Sequence, residues 1–254
     1  MAVSGNLRKM VTELSSDVQY HLPIGDERVH LNPLIGSHLT LSFTGVINCI
    51  ECDRKSNKSF SQGYCFPCFR RLAACDSCIV SPEKCHYDAG TCREPDWAQS
   101  HCFVDHIVYL ANTSGVKVGI TRYSQVPTRW MDQGATQAKP IARVQHRQLS
   151  GLLETALAQH VKDKTAWQTM LKGNGEAISL EEKRQELMSL CEDDIKALQD
   201  QFGLQALQLL EDEPTVSINY PIVEFPTKVS AHNFDKNPIV EGKLMGIKGQ
   251  YLLL

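Results

Sequence analysis

The sequence predicts an α+β protein with a small ββαβα core, a cysteine-rich module, a helical segment and β-rich termini. Three observations predict it. Two apolar runs, "IVYL" at 107–110 and "VKVGI" at 116–120, flank the turn-forming stretch Asn112, Thr113, Ser114, Gly115. Nine of the ten cysteines fall between Cys49 and Cys102. Leu187, Cys191, Ile195, Leu198 and Phe202 recur at helical spacing, as the core-facing stripe of an amphipathic helix does.

Taken in order, residues 4–15 are expected to form a short helix. Residues 17–47, with "HLTLSFTGVI", alternate apolar and polar positions between Gly and Pro interruptions and read as strands, so 1–47 forms a β-rich N-terminal segment. Residues 48–103 form the cysteine-rich module and carry little apolar periodicity. Within 104–172, residues 104–111 and 116–121 form a hairpin. A short helix follows over 126–133, with Pro127 in its first turn. "KPIARVQHR" supplies a third strand, and Ser150 is the expected cap of a helix from Gly151 to about Val161. Gly173, Asn174 and Gly175 break the chain. Ser179 with Glu182 three residues on forms a capping box for a helical segment over 176–213. From 214 to 254 the pattern returns to strand, in "VSINYPIVEF" and "IVEGKLMGIKGQYLLL", and this segment is a candidate to pair with 16–47.

Composition limits the function classes. With 254 residues the chain holds one large domain or two to three small ones. A net charge of -3 excludes a generic polyanion binder, and the eleven acids against three bases of 176–213 would repel a phosphate backbone. Residues 103–150 reverse that balance, with six Lys or Arg against two acids. No window reaches the roughly 18 apolar residues of a membrane span, and the first residues show no export signal. A cytoplasmic protein with no membrane association is expected.

In a reducing compartment, clustered cysteines bind metal more often than they form disulfides. Cys49 and Cys52 are one Cys-x-x-Cys pair, Cys65 and Cys68 a second, twelve residues apart. Two such knuckles offer four sulfurs in the tetrahedral arrangement that structural zinc takes. A second constellation follows. Cys75, Cys78, Cys85 and Cys92 are the preferred ligands of a second zinc, with Cys102 or His101 as substitutes and His86 nearby. About two structural zinc ions are therefore expected. They would supply folding free energy to a segment poor in core residues.

The middle of the chain resembles the GIY-YIG endonuclease superfamily. "IVYL" is similar to the first motif, with Tyr109 at its tyrosine. "KVGI" is similar to the second in its Lys-Ile-Gly-x-Thr version, with Lys117 where a second tyrosine usually stands and Gly119 at the glycine. "TRW" places Arg129 at the helix arginine, and "SGLLETAL" places Glu154 at the metal-binding glutamate. The resemblance spans about 104–162. It implies a GIY-YIG-like core that hydrolyses DNA or RNA phosphodiesters with magnesium or manganese, the magnesium held by Glu154 and the catalytic set being Tyr109, Lys117, Gly119, Arg129 and Glu154. The chemistry is consistent: a hard carboxylate oxygen suits magnesium, a guanidinium fork suits phosphate, and a tyrosine of lowered pKa activates water. Arg122, Lys139, Arg143 and Arg147 are candidates to hold the nucleic-acid backbone, and Asp132, Gln133, Gly134 and Ala135 form a polar turn beside the site.

A second likeness spans nearly the whole chain. "GYCFPCF", "PEKCHYDAGTCREPDW", "KVGITR", "TRWMDQGA" and "GIKGQYL" resemble an uncharacterised bacterial family that joins a cysteine-rich module to a GIY-YIG-like core. That likeness assigns no activity. A non-catalytic, zinc-dependent nucleic-acid-binding or adaptor protein therefore stands beside the nuclease as the alternative. In that case Tyr109 is a packed core residue, and Arg129 and Glu154 are surface charges.

Overall fold

The computed structural model describes residues 2–161 and 166–254, and its chain opens with strands. The helix expected over 4–15 does not form. Met10 and Thr12 are buried while Val11 and Glu13 face outward, an alternation that suits a sheet. β1 (Val11–Glu13), β2 (Gln19–Ile24) and β3 (Glu27–His30) make an antiparallel meander, with Val11 opposite His21 and Leu22 opposite Val29. Gly25, at φ 58°, turns β2 into β3. β4 (His38–Ser42) pairs with a strand some two hundred residues later, as described below.

Two short helices interrupt the cysteine-rich stretch, α1 (Phe66–Arg71) and α2 (Pro95–His101). Each begins with Pro in its first turn, where a missing N–H costs nothing. The core follows in the order β5 (His106–Asn112), β6 (Val116–Arg122), α3 (Thr128–Asp132), β7 (Gln137–Val144) and α4 (Arg147–Ala158). Pro127 sits at the N-cap of α3, one residue before its first turn. The cap of α4 is His146, whose ring nitrogen accepts from the Leu149 N–H at 3.2 Å. Ser150 lies buried inside that helix, with its hydroxyl donating to the Arg147 carbonyl at 2.6 Å. The cap therefore falls four residues before Ser150, because the helix takes in Arg147 and Gln148.

Then come α5 (Trp167–Leu171), α6 (Leu180–Leu190), α7 (Glu192–Phe202), β8 (Leu207–Leu209) and β9 (Val216–Ser217). Ser179 caps α6, its hydroxyl accepting from the Glu182 N–H at 3.2 Å. The apolar stripe runs on across the break at Cys191. Leu187, Cys191 and Ile195 are buried, and Leu198 and Phe202 pack against the same core. β10 (Ile239–Lys243) pairs with β4 in antiparallel register, Val240 opposite Leu41, while β11 (Gly246–Lys248) and β12 (Tyr251–Leu253) form a hairpin.

The principal sheet has the order β6-β5-β7-β8, with β9 on the far end of β7. Every residue of β5 is buried, so both faces of the sheet are covered. Alternation along β5 separates two cores. Val108 and Leu110 point to a cluster with Ile141, Leu149, Leu153 and Leu157, roofed by α4, α6 and α7. Ile107, Tyr109 and Ala111 point the other way, to Tyr20, Leu31, Trp130, Tyr220, Leu244 and Ile247. The chain's two ends thus close one face of the sheet and its helices close the other. Among the described residues, no helix is long and apolar enough to cross a membrane.

Candidate functional site

The first cysteine cluster is set up by backbone. Cys49 and Cys52 stand on a tight turn in which Asp53 takes φ 54° and its N–H donates to the Cys49 carbonyl at 3.0 Å. Cys65 and Cys68 open α1. Ile50 N–H donates to the Gly63 carbonyl at 2.9 Å and joins the two knuckles. A side chain at Gly63 would meet the Ile50 side chain at 2.6 Å, so glycine permits that approach. The ligand atoms of Cys49, Cys52, Cys65 and Cys68 all lie within 4.8 Å of one another, and the Cys52 and Cys65 sulfurs are 3.7 Å apart. A tetrahedral ion with metal–sulfur bonds of about 2.3 Å spaces its sulfurs about 3.8 Å apart. These four cysteines can hold a metal ion such as zinc. Burial opposes ionisation of Cys49, but N–H groups of Cys52, Cys65 and Glu51 around its sulfur outweigh it and lower its pKa. Burial, with hydrogen bonds from the neighbouring thiols, raises Cys68.

The remaining cysteines of the module divide in a way their spacing does not show. Cys75 packs against the first cluster, beside Cys49, Cys65, Cys68 and Leu72. Cys78, Cys85, Cys92 and Cys102 line a separate cavity, together with His86. His101 is turned away, stacked on Trp97 with centroids 4.0 Å apart.

On the core sheet, Tyr109 of β5 lies directly opposite Gly119 of β6. The ring covers Gly119 so closely that a Cβ there would sit 2.6 Å from Tyr109 Cζ. Gln133, at the C-cap of α3 and one turn beyond Arg129, joins the side chains of Tyr109 and Arg129. With its amide turned so that the oxygen accepts from Arg129 Nε and Nη2, at 3.3 and 3.2 Å, its nitrogen donates to the Tyr109 hydroxyl at 2.9 Å. Trp130 packs edge-on to the Tyr109 ring, centroids 5.9 Å apart. α4 carries Glu154 and Arg147, two turns apart, close enough that the charge of Glu154 acts on both Tyr109 and Arg147. Lys117 shares the sheet face of Gly119, two residues along β6.

The structure therefore brings Tyr109, Gly119, Arg129 and Glu154 into one neighbourhood, and adds Gln133 and Arg147. The i, i+4 spacing of Arg129 and Gln133 is the sequence signal for Gln133. Tyr109 itself departs from expectation. It is wholly buried, and burial pushes its pKa up to about 12, with Glu154 adding to the rise and Arg129 opposing it. Its hydroxyl stays protonated near neutrality, so it is a hydrogen-bonding group and not the water-activating phenolate expected of a lowered pKa.

Three of the four expected backbone-binding residues are already engaged within the protein. Lys139 is 4 % exposed, donates to the Glu213 carbonyl and pairs with Glu181 at 3.0 Å, so it is a core-edge ion pair and not a phosphate contact. Arg143 is bound to Asp105 and lies over the Tyr123 ring. Arg147 is drawn inward, its Nη2 donating to the Ile79 carbonyl at 2.5 Å. Arg122 ends β6 opposite His106. Asp132, the last residue of α3, is taken up by Lys9 and by Gln250 at 2.8 Å, which ties the N-terminal segment to the C-terminal hairpin.

A family profile described as "Protein of unknown function (DUF2797)" matches residues 36–254. That match takes in the cysteine-rich module, the sheet and the C-terminal strands. Comparison with curated proteins and with solved structures gave no match.

Proposed function

The chain belongs to the DUF2797 family, a family of unknown function, and from the site we propose that it is a nuclease-like protein acting on DNA or RNA through a GIY-YIG-like core. The observation that carries this reading is the Tyr109–Gln133–Arg129 chain set over Gly119 beside Glu154. Arg129 is the exposed member, and Gln133 aims its guanidinium, leaving N–H groups for a phosphate. Tyr109 fixes Gln133 and so preorganises Arg129. Glu154, half-buried, offers one carboxylate, which suits magnesium or manganese that keeps most of its waters. When bound there, such an ion supplies an activated water and charge neutralisation at the phosphate. Zinc, matched to four soft thiolates, is the ion proposed for Cys49, Cys52, Cys65 and Cys68 and has a structural role.

The second reading, a nucleic-acid-binding or adaptor protein without turnover, is favoured by one observation: the protonated, buried state of Tyr109, with Lys117 at the other tyrosine position. Single-turnover assays on a labelled duplex and a labelled single strand separate the two. With magnesium, the wild type is expected to cleave and Glu154→Gln to lose cleavage with fold and zinc intact. Arg129→Ala is expected to lose about 3 kcal/mol, on the order of a hundredfold in rate. Binding without cleavage by the wild type selects the adaptor reading. No binding at low salt removes both.

A further inference from the structure

We propose that Cys78, Cys85, Cys92 and Cys102 form a second tetrathiolate metal site, which clamps the cysteine-rich module onto the first turn of α4. The four residues line one cavity of about 20 Å³. About 10–15 Å³ holds a single water-sized particle, so the space suits one small ion and little else. None of the four is in a Cys-x-x-Cys knuckle with another. Cys78 lies in a 3-10 turn over Ser77–Ile79, Cys85 ends another over Pro82–Lys84, Cys92 lies in a loop and Cys102 caps α2.

Aromatic contacts such as Tyr87 on Phe103, centroids 4.6 Å apart, border the cavity, but little of this stretch is buried apolar surface. From residue 73 to 103 the buried apolar residues are Ala73, Pro82 and Ala98. Three separate loops and a helix end bring their thiols around one cavity, within range of one another's charge though more widely spaced than the 4.8 Å of the first cluster. All four cysteines are free thiols, and a soft divalent ion would draw them in to the spacing of a tetrathiolate site.

The surroundings fit a site of net negative charge. Arg147 stands close enough to Cys78 and Cys102 for its charge to act on both, and its Nε is buried without a hydrogen-bond partner. A tetrathiolate bound to a divalent ion carries two negative charges, and its sulfurs accept N–H donors, so it would satisfy that orphan group. The rival set is Asp76, Cys78 and His86, whose ligand atoms lie within 4.8 Å of one another. That carboxylate is already engaged. Asp76 accepts from Ser77 N–H at 2.6 Å and pairs with Arg93 at 2.8 Å, and His86 faces it at 3.4 Å. A cation there would have to displace Arg93 or sit against it.

The consequence reaches α4. Arg147 N–H donates to the Cys102 carbonyl at 2.8 Å, and its guanidinium reaches Ile79, next to Cys78. At Gly151 a Cβ would lie 2.7 Å from Glu83 N and from Pro82 Cβ, so the loop ending at Cys85 rests on the bare helix backbone. The clamp holds Arg147 within range of Glu154, and it rests on the cysteine cavity alone, independent of any nuclease activity.

Native mass spectrometry of the zinc-loaded full chain tests it. The wild type is expected to carry two ions. Cys102→Ser is expected to carry one, whereas Cys75→Ser and His86→Ala keep two. One ion in the wild type, or loss of an ion in Cys75→Ser with two retained in Cys102→Ser, overturns the proposal. Because a cysteine variant can fail to fold, cobalt titration of the wild type gives a second measurement. Two equivalents with tetrahedral, all-thiolate charge-transfer absorption are expected, and saturation at one equivalent, or a second equivalent with mixed oxygen and nitrogen ligation, refutes it.

Discussion

Gly119→Ala probes the contact on which the proposed site depends. Gly119 lies in β6 at an ordinary extended φ, so alanine brings no backbone strain and would gain about 0.4–1 kcal/mol by restricting the unfolded chain. Against that gain stands the Tyr109 ring. The new Cβ would meet Cζ at 2.6 Å, the hydroxyl at 2.7 Å and Cε2 at 2.9 Å. Ordinary contact begins at 3.4 Å, so the ring must retreat by 3.4 - 2.6, or 0.8 Å. It has little room to do so, being fully buried and packed edge-on to Trp130. Overpacking of this kind costs about 1–3 kcal/mol, and disturbing the Tyr109–Gln133 hydrogen bond adds roughly 1 kcal/mol. The expected net loss is about 1–3 kcal/mol, which for a chain of this size lowers Tm by roughly 2–4 °C per kcal/mol. The assay is denaturant and thermal unfolding of Gly119→Ala, alone and in a Tyr109→Leu background. Removing the ring's outer atoms should remove most of the cost of the alanine. A Gly119→Ala protein as stable as wild type, or an equal loss in both backgrounds, would refute the reasoning.

Three further outcomes follow from the same structure. Leu153→Ala empties a fully buried position between α4 and the sheet and should cost about 2–5 kcal/mol in urea unfolding, with the module's metal content unchanged. Ser179→Ala removes the acceptor of the Glu182 N–H and should cost about 1 kcal/mol, with hydrogen exchange rising first in the opening turn of α6. Tyr109 is raised by burial to about 12 while the unfolded chain titrates near 10. Between those values the folded state binds more protons, so the stability contributed by this residue is present below the unfolded value and lost as pH rises toward 12. Comparing wild type with Tyr109→Phe over that range, by unfolding and by phenolate absorbance, checks the sign. An earlier absorbance rise from Tyr109 would mean that its hydroxyl is not buried as described.

Features legible in the sequence were those whose cause lies within a few residues. The β5–β6 hairpin follows from two apolar runs around a turn, and the Ser179 cap from a side chain that reaches its own third neighbour. The two knuckles of the first cluster follow from Cys-x-x-Cys spacing, which brings two sulfurs to one side of a tight turn. The stripe from Leu187 to Phe202 kept its inward face even where the helix breaks at Cys191, because burial depends on spacing and tolerates a local change of axis. Other features required contacts that no local pattern encodes. Residues 11–13 are a strand because β2 pairs with them, and Lys139 is buried because Glu181 and Glu213, remote in sequence, close over it. Cys75 packs beside the first cluster while Cys102 lines the cavity of Cys78, because the path of the loops, not the count of residues between sulfurs, sets which thiols are neighbours. Tyr109 has a high pKa because strands from both ends of the chain seal its side of the sheet. Local spacing determines which groups can meet, whereas desolvation is set by every segment that packs around them, and only the tertiary structure assembles those segments.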